Sequence, residues 1–329
     1  MIICRTPTRI SFFGGGTDYP VWYRENGGMV LSTTINKYSY ITLRYLPQIF
    51  DYNFRVRYFT TEYTQTLDEI KHPSVRECAR ILGIRDGFEV IHHADLPAGT
   101  GLGSSSTFTV GMLHSFYTLI NHMPTKRELA TKALEVEQSV IGESVGSQDQ
   151  VSASFGGFNR IKFGGEHEFE VDPITLSKDR LLELQDKLLL CFTGFSRSAS
   201  EIANHQINET RSRVKELNAM LSLTEEALSL LISQNYSLEH FGKLLDEQWR
   251  IKRSLTSHIS SPEIDQIYEI AKKNGALGGK LLGAGGGGFM LFYADQERHS
   301  AIQESLAGKT FVPFRFEDTG SKIVYFSHE

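Results

Sequence analysis

The segment that most restricts what this chain can become is Pro97-Ala98-Gly99-Thr100-Gly101-Leu102-Gly103-Ser104-Ser105-Ser106. Before it, Phe88 to Ala94 reads as a strand; after it, Ser104 to Asn121 carries the apolar spacing of a long helix. Glycines at alternate positions let the backbone take positive φ and approach a ligand closely. A helix starting near Ser104 offers unpaired N–H groups and the positive end of its dipole, so strand, loop and helix together form a cradle for polyphosphate. Three consecutive serines add hydroxyls suited to phosphate or Mg²⁺. No Lys-Ser/Thr pair follows the glycines, so this is not a Walker loop. Nor does a βαβ unit with an acidic residue about 20 positions on support dinucleotide binding.

Two further segments carry glycine runs. Lys280-Leu281-Leu282-Gly283-Ala284-Gly285-Gly286-Gly287-Gly288-Phe289 lies between short strands at Leu277 to Leu282 and Phe289 to Tyr293. Four successive glycines are costly in conformational entropy and exceed what a hairpin needs, which leaves a ligand role and a structural role both open. Near the start, Pro7-Thr8-Arg9-Ile10-Ser11-Phe12-Phe13-Gly14-Gly15-Gly16-Thr17-Asp18-Tyr19 is a strand running into a glycine turn with a polar tip.

A length of 329 residues suggests two domains at roughly 150 residues each. In the first half, Val30 to Ile35 and Tyr38 to Leu46 read as a hairpin turning at Asn36-Lys37, and Thr125 with Glu128 has capping-box spacing ahead of a helix reaching Ile141. The second half opens with a strand at Leu188 to Thr193. Helices over Ser198 to Met220, Leu223 to Ser233 and Leu238 to Leu255 follow, and strands at Phe311 to Phe316 and Ile323 to Phe326 end the pattern. Both halves look like α+β domains with largely antiparallel sheets, divided here as residues 1–178 and 179–329. The net charge of −5 argues against a nucleic-acid partner. No apolar run reaches the roughly 18 residues of a membrane span, no signal-peptide pattern opens the chain, and three scattered cysteines read as reduced thiols. A cytoplasmic protein is expected, with a homodimer left open.

In this order and at these distances, the three glycine segments resemble the GHMP kinase superfamily, which includes galactokinase, homoserine kinase and mevalonate kinase. The resemblance spans nearly the whole chain. It implies an N-terminal domain like the second domain of ribosomal protein S5, a C-terminal ferredoxin-like domain, and an active site between them using ATP and Mg²⁺. Gly14-Gly15-Gly16-Thr17-Asp18 and Val145-Gly146-Ser147-Gln148-Asp149-Gln150 are similar to the branch acting on D-glycero-D-manno-heptose 7-phosphate. The reaction so implied is phosphorylation of the anomeric hydroxyl to the 1,7-bisphosphate. A kinase for fucose or galactose, or a non-catalytic ligand sensor of the same fold, is the alternative.

The resemblance also implies roles. Asp149 matches the catalytic aspartate that takes the acceptor's proton, and Arg9 the basic residue that stabilises the nascent alkoxide and the transferring phosphoryl group. Ser105 and Glu137 match the Mg²⁺ ligands, and the loop from Pro97 through Gly99, Gly101, Leu102, Gly103, Ser104, Ser105 and Ser106 matches the ATP site. One residue more separates Glu137 from Asp149 than in mevalonate kinases. Galactokinases carry Glu and His, which contact the sugar, where this chain has Gly15 and Gly16; room for a longer sugar is expected there, beside Thr17 and Asp18. Gly285 and Gly286 are expected to close on the substrate, and Arg197 to meet its phosphate, with Lys37 and Arg44 as rivals. Each role has a plainer alternative: Arg9 held by a carboxylate, Asp149 as a helix N-terminal acid, Glu137 on a solvated face.

Overall fold

The computed structural model describes residues 1–194, 199–233 and 236–328. Its spine is the antiparallel pair β1 (Ile2–Phe13) and β2 (Gly28–Tyr45). The expected hairpin at Asn36-Lys37 is absent, and β2 runs straight through it. Pro7 faces Tyr38 while Thr8 faces Ile35, so Asn36 and Lys37 bulge from the ladder without reversing it. Pro7 has no N–H for a ladder partner, which makes its position the least costly one for a bulge.

Strands β3 (Phe54–Arg57), β4 (Thr61–Thr64), β5 (Phe88–Ala94), β6 (Phe158–Phe163) and β7 (Phe169–Pro173) extend this sheet. Every pairing is antiparallel except β3 with β5. Helices α1 (Pro20–Asn26), α2 (Pro73–Ile81), α3 (Ser104–Leu119), α4 (Lys126–Leu134) and α5 (Gln148–Phe155) accompany the sheet, with α3 lying across β1 and β2. The Thr125–Glu128 capping box forms, the Glu128 N–H donating to Thr125 Oγ1 at 3.1 Å. From Glu135 to Ile141 the helix widens into a π-helix.

After α6 (Lys178–Asp186), strand β8 (Leu188–Phe192) leads to four helices: α7 (Ala199–Glu209), α8 (Val214–Ile232), α9 (Glu239–Leu255) and α10 (Pro262–Lys273). A 3₁₀ turn at Thr210–Ser212 breaks the helix expected from Ser198 to Met220, and α8 runs through the gap expected at Leu221-Ser222. Then come β9 (Gly278–Leu281), β10 (Phe289–Tyr293), α11 (Gln296–Ser305) and β11 (Thr310–Phe311). The order β11-β8-β10-β9, all antiparallel, is that of a ferredoxin-like sheet. Pro313 cuts short the strand expected over Phe311 to Phe316. The chain then returns to the first sheet: β12 (Phe316–Glu317) pairs with β2 and β13 (Lys322–Phe326) with β1.

Aromatic packing joins the two sheets' layers. Phe241 of α9 sits edge-on to Phe12 and Phe13 of β1, at centroid distances of 5.5 and 5.1 Å. Beside this, backbone meets backbone. A Cβ on Gly283 would lie 2.5 Å from Gly101 Cα, and one on Gly288 would lie 2.3 Å from the Thr100 carbonyl oxygen, which also accepts from the Phe289 N–H at 3.0 Å. At Gly283 and Gly288 the structural reading of the second glycine run therefore holds. Gly288→Ala combines φ +98° with that overlap and should destabilise the protein by roughly 3 kcal/mol. Gly165→Ala, at φ +78° but with open space around it, should cost about 1 kcal/mol. Urea unfolding checks this; equal losses would show that the loop contact adds nothing beyond backbone strain.

Candidate active site

The two-residue period of β1 points Arg9 and Ser11 into a cavity of 210 Å³, while Ile10 and Phe12 enter the core. Asp149 meets Arg9 there from the first turn of α5. Arg9 Nε donates to Asp149 Oδ1 at 2.7 Å, Nη2 to Oδ2 at 2.8 Å, and Nη1 to the Gly101 carbonyl at 2.7 Å. Both plainer readings thus hold: Arg9 is held by a carboxylate, and Asp149 is a helix N-terminal acid. The pair needs Gly103, where a Cβ would stand 3.0 Å from Asp149 Oδ2.

Gly99, Gly101 and Gly103 take φ of +71°, +82° and +76°, the alternation expected from the sequence. Gly103 precedes α3 in the left-handed conformation, and no side chain caps that helix start. The first N–H groups of α3 therefore remain for an anion. Gly99, Ser104 and Ser105 also line a second cavity of 720 Å³, together with Pro97, Leu102 and a cluster of rings. In it His72 stacks on Phe108 at 4.5 Å and His92 meets the same ring edge-on at 4.9 Å. Burial pushes the His92 pKa down to about 4, so this wall is neutral.

Asp18 is buried; Oδ1 accepts from the Gly16 N–H at 2.8 Å, Oδ2 faces the Gln148 N–H at 3.4 Å, and burial raises its pKa. Thr17 does not reach the cavity, since its hydroxyl bonds the carbonyls of Gly14 and Met29 and ties the turn to β2. A Cβ on Gly15 would make only ordinary contact with Ser11 Oγ at 3.5 Å. At Gly16 the φ of +112° demands glycine, and a Cβ would face Leu217, Met220 and Leu255. Gly15 and Gly16 both line the cavity; a side chain could enter at Gly15, whereas the backbone conformation at Gly16 requires glycine. Gly285 and Gly286 are also placed differently from expectation: they lie against Ile259, whose carbonyl accepts from the Gly286 N–H at 2.9 Å, and Gly283 and Ala284 line the cavity instead. Arg44 is taken up by Glu89 at 2.6 Å. Arg197 lies outside the described residues.

Glu137 is 1% exposed and not on a solvated face. Its Oε2 accepts from Ser106 Oγ at 2.8 Å and from Gln150, while Oε1 is buried without a partner among the described residues; Ser105 is exposed and lines both cavities, and Glu137 lines neither. Burial pushes the Glu137 pKa up to about 7. Several cavity residues are not marked by the sequence, among them Ser11, Gln148, Lys252 and Lys280. The one signal for Ser11 is its spacing to Arg9. Gln148 stands next to Asp149 in the sequence, and nothing local marks its side chain as facing the cavity. Lys252 and Lys280, 3% and 1% exposed, were hidden because lysines usually mark solvated surface.

Comparison with known proteins identifies the class. The GHMP kinases N terminal domain matches residues 70–157 and the GHMP kinases C terminal domain residues 227–312. A D-glycero-alpha-D-manno-heptose 7-phosphate kinase from Campylobacter jejuni is 32% identical over 314 residues, covering 92% of each chain. Galactokinase from Pyrococcus furiosus is 25% identical, covering 96% of this chain and 95% of its own. The crystal structure of a D-glycero-D-manno-heptose 1-phosphate kinase from Bacteroides thetaiotaomicron superposes with a TM-score of 0.82 over all of both chains, at 22% identity. The chain belongs to the GHMP kinases. It is an ATP-dependent sugar kinase.

Glu137 gives a signed pH prediction. Its pKa is raised in the fold, so its contribution to stability is fully present below 4.5 and is lost as pH rises through about 7. Measured by urea unfolding in a chelator, the stability difference between Glu137→Gln and wild type should move in the variant's favour by on the order of 3 kcal/mol between pH 4 and 8. A difference that stays flat across that range would mean Glu137 is not strained by burial.

Proposed function

We propose that the chain transfers the γ-phosphoryl group of ATP to the anomeric hydroxyl of D-glycero-D-manno-heptose 7-phosphate, giving the 1,7-bisphosphate and ADP. The Arg9–Asp149 pair seated against the glycine loop carries the phosphotransfer reading. The heptose phosphate is favoured by the Campylobacter relative's substrate and by the space at Gly15.

The acceptor oxygen attacks the γ-phosphorus as the bond to the β-bridging oxygen breaks, and that electron pair leaves on ADP. Asp149 takes the hydroxyl proton. Both its oxygens already accept from Arg9, yet each keeps a lone pair free. An anomeric hydroxyl is more acidic than an ordinary alcohol, so a weak acceptor suffices late in the transfer. Arg9 uses three of its five N–H groups on Asp149 and Gly101; the remaining two face developing charge on the phosphoryl oxygens. Polyphosphate rests on the N–H groups of Gly99 to Ser106. The adenine lies in the second cavity beside Tyr58, His72, His92 and Phe108.

Mg²⁺ fits what the residues offer. Glu137 has a buried carboxylate oxygen without a partner among the described residues, Ser106 joins it to the first cavity, and Ser105 lines both cavities. With Ser106 and Gln150 steadying Glu137, Glu137 and Ser105 would hold the ion, which would neutralise charge on the β- and γ-phosphates.

Turnover with heptose 7-phosphate against galactose, fucose and mannose, with NMR of the product, tests the substrate; faster turnover of an unphosphorylated sugar would replace it. Asp149→Asn should lower kcat at least a hundredfold while ATP affinity stays within a few-fold. Turnover within tenfold of wild type would remove Asp149 from the base role. Gly15→Glu should reduce kcat/KM on the sugar phosphate by about a hundredfold with the melting temperature kept, because a carboxylate enters the cavity. Unchanged kcat/KM would place the acceptor elsewhere.

A further inference from the structure

Two buried lysines in the cavity wall have no part in the mechanism above. Lys252 comes from α9 and Lys280 from β9. Among the described residues, neither lies within ion-pair distance of a carboxylate. The two acids nearby are engaged: Asp149 is gripped by Arg9, and Asp18 faces the backbone N–H groups of Gly16 and Gln148. Lys280 donates to the Phe12 carbonyl of β1 at 2.8 Å. Lys252 donates to the carbonyl of Gly283.

That Gly283 bond fixes where the Lys252 charge sits. Gly283 is the residue packed on Gly101, and the Gly101 carbonyl holds Arg9 Nη1 at 2.7 Å. Two cations are therefore anchored on the carbonyls of two residues in backbone contact, one on each side of the junction between the glycine loops. The Lys252 ammonium has three donors and gives one to Gly283, so two remain for the cavity. A neutral donor would make the same bond to Gly283 without the cost of burying charge. The charge itself needs an anion, and among the described residues the protein supplies none in ion-pair contact. Burial, then repulsion from Arg9, push the Lys252 pKa down to about 8 against the pull of Asp18 and Asp149.

We propose that Lys252 is a second catalytic cation of this kinase, pairing with the transferring phosphoryl group from the side opposite Arg9. The inference rests on the kinase reading and not on the identity of the sugar. As the bond from the β-bridging oxygen breaks and the acceptor oxygen bonds to phosphorus, charge spreads over the oxygens of the group in flight. Arg9 meets that charge from the phosphate loop and Lys252 from the opposite glycine loop. Lys252 exchanges no proton in this step; it contributes charge and direction only.

Lys252→Met and Lys252→Gln test this, the second retaining a donor for Gly283. Both should melt at or above the wild-type temperature, because a buried unpaired charge is gone. Both should lose at least a hundredfold in kcat, with KM for ATP and for the sugar phosphate changed by less than about threefold. A separate readout uses calorimetry with Mg²⁺ present: wild type should bind ADP, aluminium fluoride and acceptor together more tightly than ADP alone, and the variants should lose that gain while keeping ADP affinity. Three results would overturn the proposal: a raised acceptor KM with kcat intact, which assigns Lys252 to the substrate's own phosphate; melting lowered in both variants in step with activity, which makes it structural; or undiminished tightening by aluminium fluoride. Wild-type turnover on the sugar panel is measured in parallel, so a wrong sugar and a wrong lysine give different results.

Discussion

The site hangs on backbone contact between two glycine loops far apart in the chain, one around Gly101 and one around Gly283. With Gly283 against Gly101 and Gly288 against Thr100, no Cβ can be accommodated at either crossing. The contact sets the spacing of the carbonyls that hold Arg9 and Lys252, and hence the position of positive charge relative to the start of α3. Van der Waals contact between main chains is less adjustable than contact between side chains, which have rotamers to move into. That rigidity suits phosphoryl transfer, where most of the catalytic effect comes from groups held in place before the reaction begins.

The sequence disclosed the parts of the site built from short-range rules. The alternate glycines, the strand before them, the uncapped helix after them and the Thr125–Glu128 capping box all obey local backbone chemistry, and all formed as read. Readings that depended on distant partners fared less well. The Asn36-Lys37 turn became a bulge because Pro7, thirty residues earlier, sits opposite it. Gly16 lines the cavity, but its φ, set where it packs on side chains of α8 and α9, is a second reason for glycine that the sequence does not display. Lys252 was illegible. It stands between Arg250 and Arg253 on a charged helix, and only the tertiary fold turns that one side chain inward.

The segment Glu135–Ile141 is a π-helix, a form that takes more residues per turn than the α-helix preceding it. Glu137 lies within the widened turn, where Ser106 of α3 and Gln150 of α5 reach it from two sides. The irregularity thus keeps a buried acid in register with the phosphate loop.

The wall shared by the two cavities bears on inhibitor design. Gly99, Ser104 and Ser105 line both spaces, so the separation between a base-sized ligand and an acceptor-sized one is a few backbone atoms. A single molecule joining a purine to a sugar phosphate through a short linker could occupy both at once, the second half binding at the effective concentration its tether imposes. Such a compound would draw selectivity from the acceptor side, where Gly15, Gln148 and Asp18 shape the space, while taking its affinity from the loop that the whole family uses.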